Sequence, residues 1–413
     1  MSSASIVISA ANKKLDCTIP LTGSKSESNR ALIMQALSNH TVKVKNISEA
    51  ADTVTLNHIL NGNASGPVDV GPAGTAMRFL TAYYPLQEGA ITLTGSARMK
   101  ERPIGILVDA LRTLGADIEY AENNGFPPLN IKGPLKQKTN KVSIKGNISS
   151  QYISALLLIA PKLEQGLDLH IDGELTSKPY VEMTLAMMQQ AGIKHVWKDN
   201  VISIEKQAFK PADISVEPDW SAASYWYAIA ALSEEAHLFL AGLNGYSLQG
   251  DSKITEIMAN FGITSQFKDG GVHLTKEPKK LERKIFDFKE CPDLAQTVIV
   301  CCAALGHDAS FTGMETLKIK ETDRVNALQT ELAKIGVKLI EKNMTYKLDC
   351  SGLDLNRKIS IHTYDDHRMA MAFAPLALRM PELEIEDHLV VEKSYPDFWK
   401  HLEKAGFEIK RSE

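Results

Sequence analysis

The 413-residue sequence is notable first for what it lacks. No apolar run approaches the roughly 18–20 residues that a membrane-spanning helix needs; the longest candidates, such as 298–305, are far shorter. A bilayer-embedded protein is therefore not expected. Residues 1–11 contain no basic stretch followed by a long apolar one, so they do not read as a secretory leader, and a cytoplasmic location is expected. A basic surplus is also missing. The formal net charge is −4, which argues against a nucleic-acid partner. The five cysteines (Cys17, Cys291, Cys301, Cys302 and Cys350) form no CxxC pair and have no histidine at metal-ligand spacing. Neither a disulfide framework nor a metal site is expected from them. Cys301 and Cys302 stand in an apolar run and read as core.

What is present is a repeat. Segments with a small or polar start and a nearly all-apolar body of helical length recur at 24–37, 71–83, 146–158, 218–232, 291–305 and 364–378. Their starts lie about 70–75 residues apart after a shorter first interval. A second series interleaves with them, with Asp52, Pro103, Pro179, Asp251, Thr322 and Pro396 at or near its helix starts. These helices are amphipathic. Leu107, Leu111 and Leu114 share a face, as do Val181, Leu185 and Met188, and Val325, Leu328, Leu332 and Ile335. Five of the six run into a glycine (Gly115, Gly192, Gly262, Gly336, Gly406) followed by a strand-like stretch, the expected helix stop. The first series is apolar all round and should be interior. The spacing thus predicts six units of two helices and short strands, grouped as two inverted α/β domains of three units each, with helices inside and sheets outside.

The unusual residues cluster at helix starts. Ser24-Lys25-Ser26 opens the first helix and offers N–H groups, the positive end of the dipole and a cation to an anion. It lacks the order of a nucleotide-binding P-loop. Arg98, Lys100 and Arg102 alternate, and in an extended segment they would share one face. Lys320 and Arg324 stand at i and i+4 at the start of a second-series helix, a like-charge pair that also opposes the helix dipole. Asp365, Asp366, His367 and Arg368 crowd the mouth of an apolar helix, whereas Asp219 and Asp293 at equivalent starts read as ordinary caps. Seven cations near helix starts (Lys25, Arg30, Arg102, Lys320, Arg324, Arg368 and Lys393) in a nearly neutral chain point to a cleft for anionic substrates.

These residues carry a resemblance. Gly23-Ser24-Lys25-Ser26 with Asn29-Arg30, Ala73-Gly74-Thr75-Ala76-Met77-Arg78-Phe79, Met99-Lys100-Glu101-Arg102-Pro103-Ile104, Ser149-Ser150-Gln151, Ser177-Lys178-Pro179-Tyr180, Pro292-Asp293, Lys320-Glu321-Thr322-Asp323-Arg324, Asp366-His367-Arg368-Met369-Ala370 and Lys393-Ser394-Tyr395-Pro396-Asp397 together resemble the 5-enolpyruvylshikimate-3-phosphate synthase family. The resemblance implies two inside-out α/β domains, each with pseudo-three-fold symmetry. One would be residues 21–218, the other 1–20 plus 219–413, with a cleft and a hinge near 20 and 218. It implies transfer of the enolpyruvyl group of phosphoenolpyruvate to the 5-hydroxyl of shikimate 3-phosphate through a tetrahedral intermediate, by a monomer, without metal or organic cofactor.

Carried over position by position, shikimate 3-phosphate would be held by Lys25, Ser26, Arg30, Ser149, Ser150, Gln151, Ser177, Tyr180, Asp293, Thr316 and Lys320. Phosphoenolpyruvate would be held by Lys25, Gly74, Arg102, Gln151, Arg324, Arg368 and Lys393. Asp293 resembles the proton acceptor and Glu321 the proton donor, with Lys25 and Lys393 also catalytic. Flanking Lys320 and Arg324 should keep Glu321 ionised until substrate anions offset them. The sequence departs from the family pattern at Pro72, where Asn is usual, and at Thr316, often Asn; both bear on affinity and inhibitor response. The related transferase acting on a UDP-amino sugar typically uses a loop cysteine, and residues 97–106 contain none.

Overall fold

The computed structural model describes residues 4–62 and 66–411. The chain divides into two compact units, residues 23–216 and residues 1–22 joined by 217–413. Each has its own apolar core.

In the 23–216 unit the helices are α1 (Lys25–Leu37), α2 (Ala51–Asn61), α3 (Gly74–Tyr83), α4 (Ala97–Lys100), α5 (Gly105–Leu114), α6 (Ser150–Ile159) and α7 (Lys178–Gln190). In the other unit they are α8 (Trp220–Leu232), α9 (Ile254–Met258), α10 (Ala295–Ala304), α11 (Arg324–Ala333), α12 (His367–Phe373) and α13 (Phe398–Lys404). The first-series helices α1, α3, α6, α8, α10 and α12 form the interior. All ten residues of α10 and all seven of α12 are buried. In α10, Val298, Ile299 and Val300 are β-branched, a cost of about 0.5 kcal/mol each in helix propensity. Burying each of them contributes about 1.5–3 kcal/mol, so burial decides the conformation. The second-series helices bury one face, as Leu107, Val108, Leu111 and Leu114 of α5 show.

Most repeats share one plan. Two parallel strands flank an inner helix, an outer helix follows, and a hairpin closes antiparallel on the second strand. Lys141–Lys145 and Leu167–Asp172 flank α6, with Val196–Lys198 and Val201–Ile204 as the hairpin. Ile285–Asp287 and Ser310–Thr312 flank α10, with Lys338–Lys342 and Thr345–Asp349 as theirs. Pro67–Asp69 and Gly89–Thr94 flank α3 in the same way. Around α12 the last strand, Glu408–Arg411, pairs with the N-terminal strand Ile6–Ser9, which takes the remaining hairpin position.

Two strands are exchanged at the chain crossings. Lys14–Pro20 leads into α1 but pairs in parallel with Glu235–Ala241, which follows α8. Ala212–Ser215 leads into α8 but pairs in parallel with Val42–Lys45, which follows α1. Each strand before a crossing stays in the unit that the chain is leaving. The short first interval also has a cause: α2 ends at Asn61 and the strand Pro67–Asp69 of the next repeat begins too soon for a hairpin.

The helix-ending glycines adopt the left-handed conformation that a Cβ disfavours. At Gly336, with φ 78°, a Cβ would also stand 2.0 Å from the Gly352 carbonyl oxygen. Among the described residues no helix is long and apolar enough to cross a membrane. No group of three or more His, Cys, Asp or Glu side chains there is placed to hold a metal ion. Cys291, Cys301, Cys302 and Cys350 are buried free thiols, and burial pushes each thiol up.

Candidate active site

In the 23–216 unit the marked residues stand at the N-terminal mouths of α1, α3, α6 and α7. Ser24 caps α1, accepting the Glu27 N–H at 3.4 Å. Lys25 begins the helix and reaches Asp52 of α2, Nζ to Oδ2 3.2 Å. Arg30, one turn on from Ser26, is buried. Its Nε donates to Thr184 Oγ1 (2.7 Å), Nη1 to the Ser26 carbonyl (2.8 Å), and Nη2 to Ser154 Oγ (3.1 Å) and the Tyr180 carbonyl (3.3 Å). The Phe79 and Tyr180 rings lie 5.6 and 5.9 Å from its guanidinium carbon. All four oxygens are neutral, and burial lowers its pKa to about 10. Arg30 thus ties the Ser26 and Tyr180 backbones together.

The mouth of α3 has no side-chain cap, which leaves its first-turn N–H groups to another acceptor. Arg102 lies over Gly74, where a Cβ would stand 2.5 Å from Nη1 and displace the guanidinium. Gln151, in the first turn of α6, donates to Thr75 Oγ1 at 3.1 Å and links the two mouths. Ser149 caps α6 through the Gln151 N–H at 3.4 Å, and Ser150 follows it into the helix. Ser177 precedes α7 with φ 55° and makes no side-chain cap. It is held in the left-handed region, unusual for a residue with a Cβ.

One expectation here is corrected. Residues 98–102 are not extended, and their three cations do not share a face. Ser96 accepts the Met99 N–H at 3.2 Å and starts the short helix α4. Arg98 then pairs with Glu101 (2.9 Å) and Lys100 with Glu122 (2.8 Å), both largely exposed. Only Arg102 turns inward.

The other unit gathers carboxylates as well as cations. Arg324, buried at the start of α11, spans three acids. Nε and Nη2 reach Asp366 at 2.7 and 3.4 Å, Nη1 reaches Asp293 at 3.1 Å, and Nη2 reaches Glu321 at 2.9 Å. Arg368 of α12 reaches the other Asp293 oxygen at 2.9 Å, the Tyr225 hydroxyl at 3.2 Å and Ser221 Oγ at 3.3 Å. Lys320 Nζ lies 3.9 Å from Asp293, and Lys393 Nζ lies 3.4 Å from Glu321. Asp293, Glu321, Lys320 and Lys393 each keep a minority of their side-chain surface open. The Thr316 hydroxyl is buried and makes no hydrogen bond among the described residues.

Two further expectations change. Lys320 and Arg324 do not repel along one helix, because Asp323 caps α11, accepting the Asn326 N–H at 3.0 Å, so Arg324 is its first residue. Lys320 precedes the helix, and both cations converge on Asp293. Asp293 in turn is no cap. It sits in the short turn Pro292–Leu294 before α10, and its side chain caps nothing there. Asp219 and Asp366 do cap α8 and α12.

The electrostatics follow from this packing. Burial alone would raise the Asp293 carboxyl, but Arg368, Lys320 and Arg324 outweigh it and hold it well below the usual carboxylate range. Burial disfavours the Arg324 charge, but Asp366, Glu321 and Asp293 more than offset that and raise its pKa. Burial prevails at Lys320 and lowers its pKa. At Asp251, burial and the Asp293 charge push the carboxyl up to about 7 against the pull of Arg368.

Asp251, Ser221, Tyr225, Thr75 and Asp52 belong to these clusters and did not stand out as site residues in the sequence. Ser221 donates to Asp251 while its oxygen faces Arg368. The repeat held the signal. Asp52 and Asp251 occupy equivalent second-series starts, both are buried, and each bonds the start of a first-series helix, Lys25 in one case and Ser221 in the other.

A family profile described as EPSP synthase (3-phosphoshikimate 1-carboxyvinyltransferase) matches residues 10–62 and 61–402. A 3-phosphoshikimate 1-carboxyvinyltransferase of Bacteroides fragilis is 47% identical over 408 residues, covering 98% of each chain. One from Vibrio campbellii is 36% identical over 420 residues, covering 94% of this chain and 96% of its own. Among solved structures, EPSP synthase from Acinetobacter baumannii superposes with TM-score 0.77 at 21% identity over 100% of both chains. The enolpyruvyl transferase NikO from Streptomyces tendae gives TM-score 0.76 at 15% identity over 100% of this chain and 99% of that one. At those identities the two structures bear on the fold alone.

Proposed function

The chain belongs to the EPSP synthase family, and we infer from this that it transfers the enolpyruvyl group of phosphoenolpyruvate to the 5-hydroxyl of shikimate 3-phosphate, releasing phosphate, in the shikimate pathway to aromatic amino acids. Addition joins the 5-oxygen to C2 of phosphoenolpyruvate and places a proton on C3. Elimination removes a proton from the new methyl group, restores the double bond and expels phosphate.

In this reading Asp293 accepts the hydroxyl proton and Glu321 delivers the proton to C3. The observation that carries it is the pair of carboxylates on one guanidinium, Asp293 at 3.1 Å and Glu321 at 2.9 Å from Arg324, with Arg368 and Lys393 on their outer sides. Without substrate, these cations favour both carboxylates in the ionised form, which suits neither a strong base nor an acid. Each phosphate brings about −1.5 to −2 charges, and each substrate adds a carboxylate. Anions that engage Arg324, Arg368 and Lys393 draw them off the enzyme's own acids, so Asp293 gains basicity and Glu321 can hold a proton.

The remaining roles follow the chemistry of each position. Arg324, Arg368, Lys393, Lys25, Arg102, Gln151 and the N–H groups at Gly74 take phosphoenolpyruvate. Lys25, Ser26, Arg30, Ser149, Ser150, Gln151, Ser177, Tyr180, Asp293, Thr316 and Lys320 take shikimate 3-phosphate. The buried hydroxyl of Thr316, without a hydrogen bond among the described residues, supports its share. Pro72 supplies no N–H and no side-chain hydrogen bond, so the α3 mouth binds phosphate through backbone beyond it.

These residues divide between the two units of the chain. A cytoplasmic monomer suffices for this scheme, and sedimentation as a single-chain species tests that. Glu321→Gln is expected to bind both substrates and release no phosphate. Wild-type turnover in that variant would remove Glu321 from the mechanism.

A further inference from the structure

The turn that delivers Asp366 and Arg368 has an unusual backbone. Tyr364 and Asp365 are consecutive non-glycine residues in the left-handed region, with φ 56° and 55°. That conformation costs energy for any residue with a Cβ and persists only where neighbours enforce it. The neighbour is α11, which grips the turn twice. At its start Arg324 holds Asp366 at 2.7 Å. Seven residues on, two helical turns along the same face, Glu331 holds the other end. Its Oε1 accepts the Tyr364 hydroxyl at 2.8 Å and its Oε2 accepts the His362 N–H at 3.2 Å. Glu331 is fully buried. Lys334, at 2.7 Å, balances its charge, so neither carboxylate oxygen lacks a donor. Between the two grips the Asp366 N–H closes on the Thr363 carbonyl at 2.9 Å, and Asp366 caps α12 through the Arg368 N–H at 2.9 Å. Burial and the Glu331 charge push the Tyr364 hydroxyl up to about 12, so it remains a donor at neutral pH.

We propose that Glu331 and Tyr364 are positioning residues for phosphoenolpyruvate: by holding the strained turn 362–366 against α11 they fix Asp366, and with it the guanidinium groups of Arg324 and Arg368. The inference rests on the assignment of those two arginines to phosphoenolpyruvate made above. Neither Glu331 nor Tyr364 touches substrate in this scheme.

The test uses the full-length enzyme and separate KM values for the two substrates. Tyr364→Phe removes one hydroxyl that bonds a charged group. It is expected to raise the phosphoenolpyruvate KM about tenfold and leave the shikimate 3-phosphate KM within about twofold, with little change in Tm. Glu331→Gln keeps an acceptor for Tyr364 and should fall between wild type and Glu331→Ala. Asp365→Gly relieves the left-handed penalty and leaves both grips in place, so it should keep the phosphoenolpyruvate KM within about twofold of wild type with little change in Tm. Tyr227→Phe, which loses a hydroxyl contact to Ser265 in the same unit, is the control and should leave both KM values unchanged. An unchanged phosphoenolpyruvate KM in Tyr364→Phe, or equal rises in both KM values that track a fall in Tm, would overturn the proposal. A wild-type enzyme that makes no product from the two substrates would instead overturn the underlying assignment.

Discussion

Replacing Asp251 with asparagine should change how stability responds to pH more than it changes stability itself. The Asp251 carboxyl is buried, receives the Ser221 hydroxyl proton on one oxygen, and has no hydrogen-bond partner for the other among the described residues. Burial first, then the nearby Asp293 charge, raise it from an ordinary 3.8 to about 7. Between those values the folded protein keeps a proton that the unfolded chain has released, so folding loses stability as pH rises, by about 1.4 kcal/mol per pH unit. From pH 5 to 7 this amounts to about 2–3 kcal/mol. In a unit of roughly two hundred residues that corresponds to about 5–10 °C in Tm. An asparagine side chain there could still accept from Ser221 but has nothing to titrate. Thermal unfolding of wild type and Asp251→Asn across pH 5–9 should therefore show the wild type losing ground steadily up to about pH 7 and a constant difference above it. Parallel Tm profiles for the two proteins over that range would refute the reasoning, because they would mean that Asp251 is ionised throughout.

The opposite sign is expected at Asp293. Its folded carboxyl is held below the ordinary 3.8, so its stabilisation is complete above that value and is lost as pH falls below it; Asp293→Asn should flatten the acid limb of an unfolding titration. Asp366→Ala removes a cap and leaves the buried Arg324 without its shortest ion pair, a loss of about 3–5 kcal/mol visible in the urea midpoint. Gly336→Ala meets a backbone oxygen at 2.0 Å in a left-handed position and should cost well over the ~1–2 kcal/mol of that conformation alone. Gly270→Ala, also left-handed with φ 75° but with nothing within 4 Å of a Cβ, should cost only that smaller amount.

Much of this architecture was legible in the sequence because the interior helices are apolar on every side and the outer ones on one. The periodicity alone separates two layers and six repeats. The helix-ending glycines were legible for a local reason, since a left-handed residue needs no tertiary information. The strand exchange at the crossings was not legible in the periodicity, because Lys14–Pro20 and Ala212–Ser215 carry the same pattern whichever neighbour they pair with; only the family resemblance placed residues 1–20 with 219–413. At the site, sequence reasoning located the cations but not their partners. The spread of Arg98, Lys100 and Arg102 onto separate faces depends on a cap at Ser96 that a charge pattern does not reveal. Asp293 and Asp219 look alike as helix-start acids; only packing shows that one caps and the other faces Arg324, Arg368 and Lys320. Arg30 counted as one cation among seven, yet four neutral oxygens of its own unit already hold it.

The proposed reaction is an addition followed by an elimination, with Asp293 taking a proton from the acceptor hydroxyl and Glu321 giving one to C3. Incubation with shikimate 3-phosphate and phosphoenolpyruvate in deuterated water tests it most directly, with phosphate and the enolpyruvyl ether measured together. Phosphate and ether should form in equal amounts, with solvent deuterium in the vinyl group, because C3 passes through a methyl stage. An ether without vinyl deuterium, or no phosphate release with this acceptor, would contradict the account.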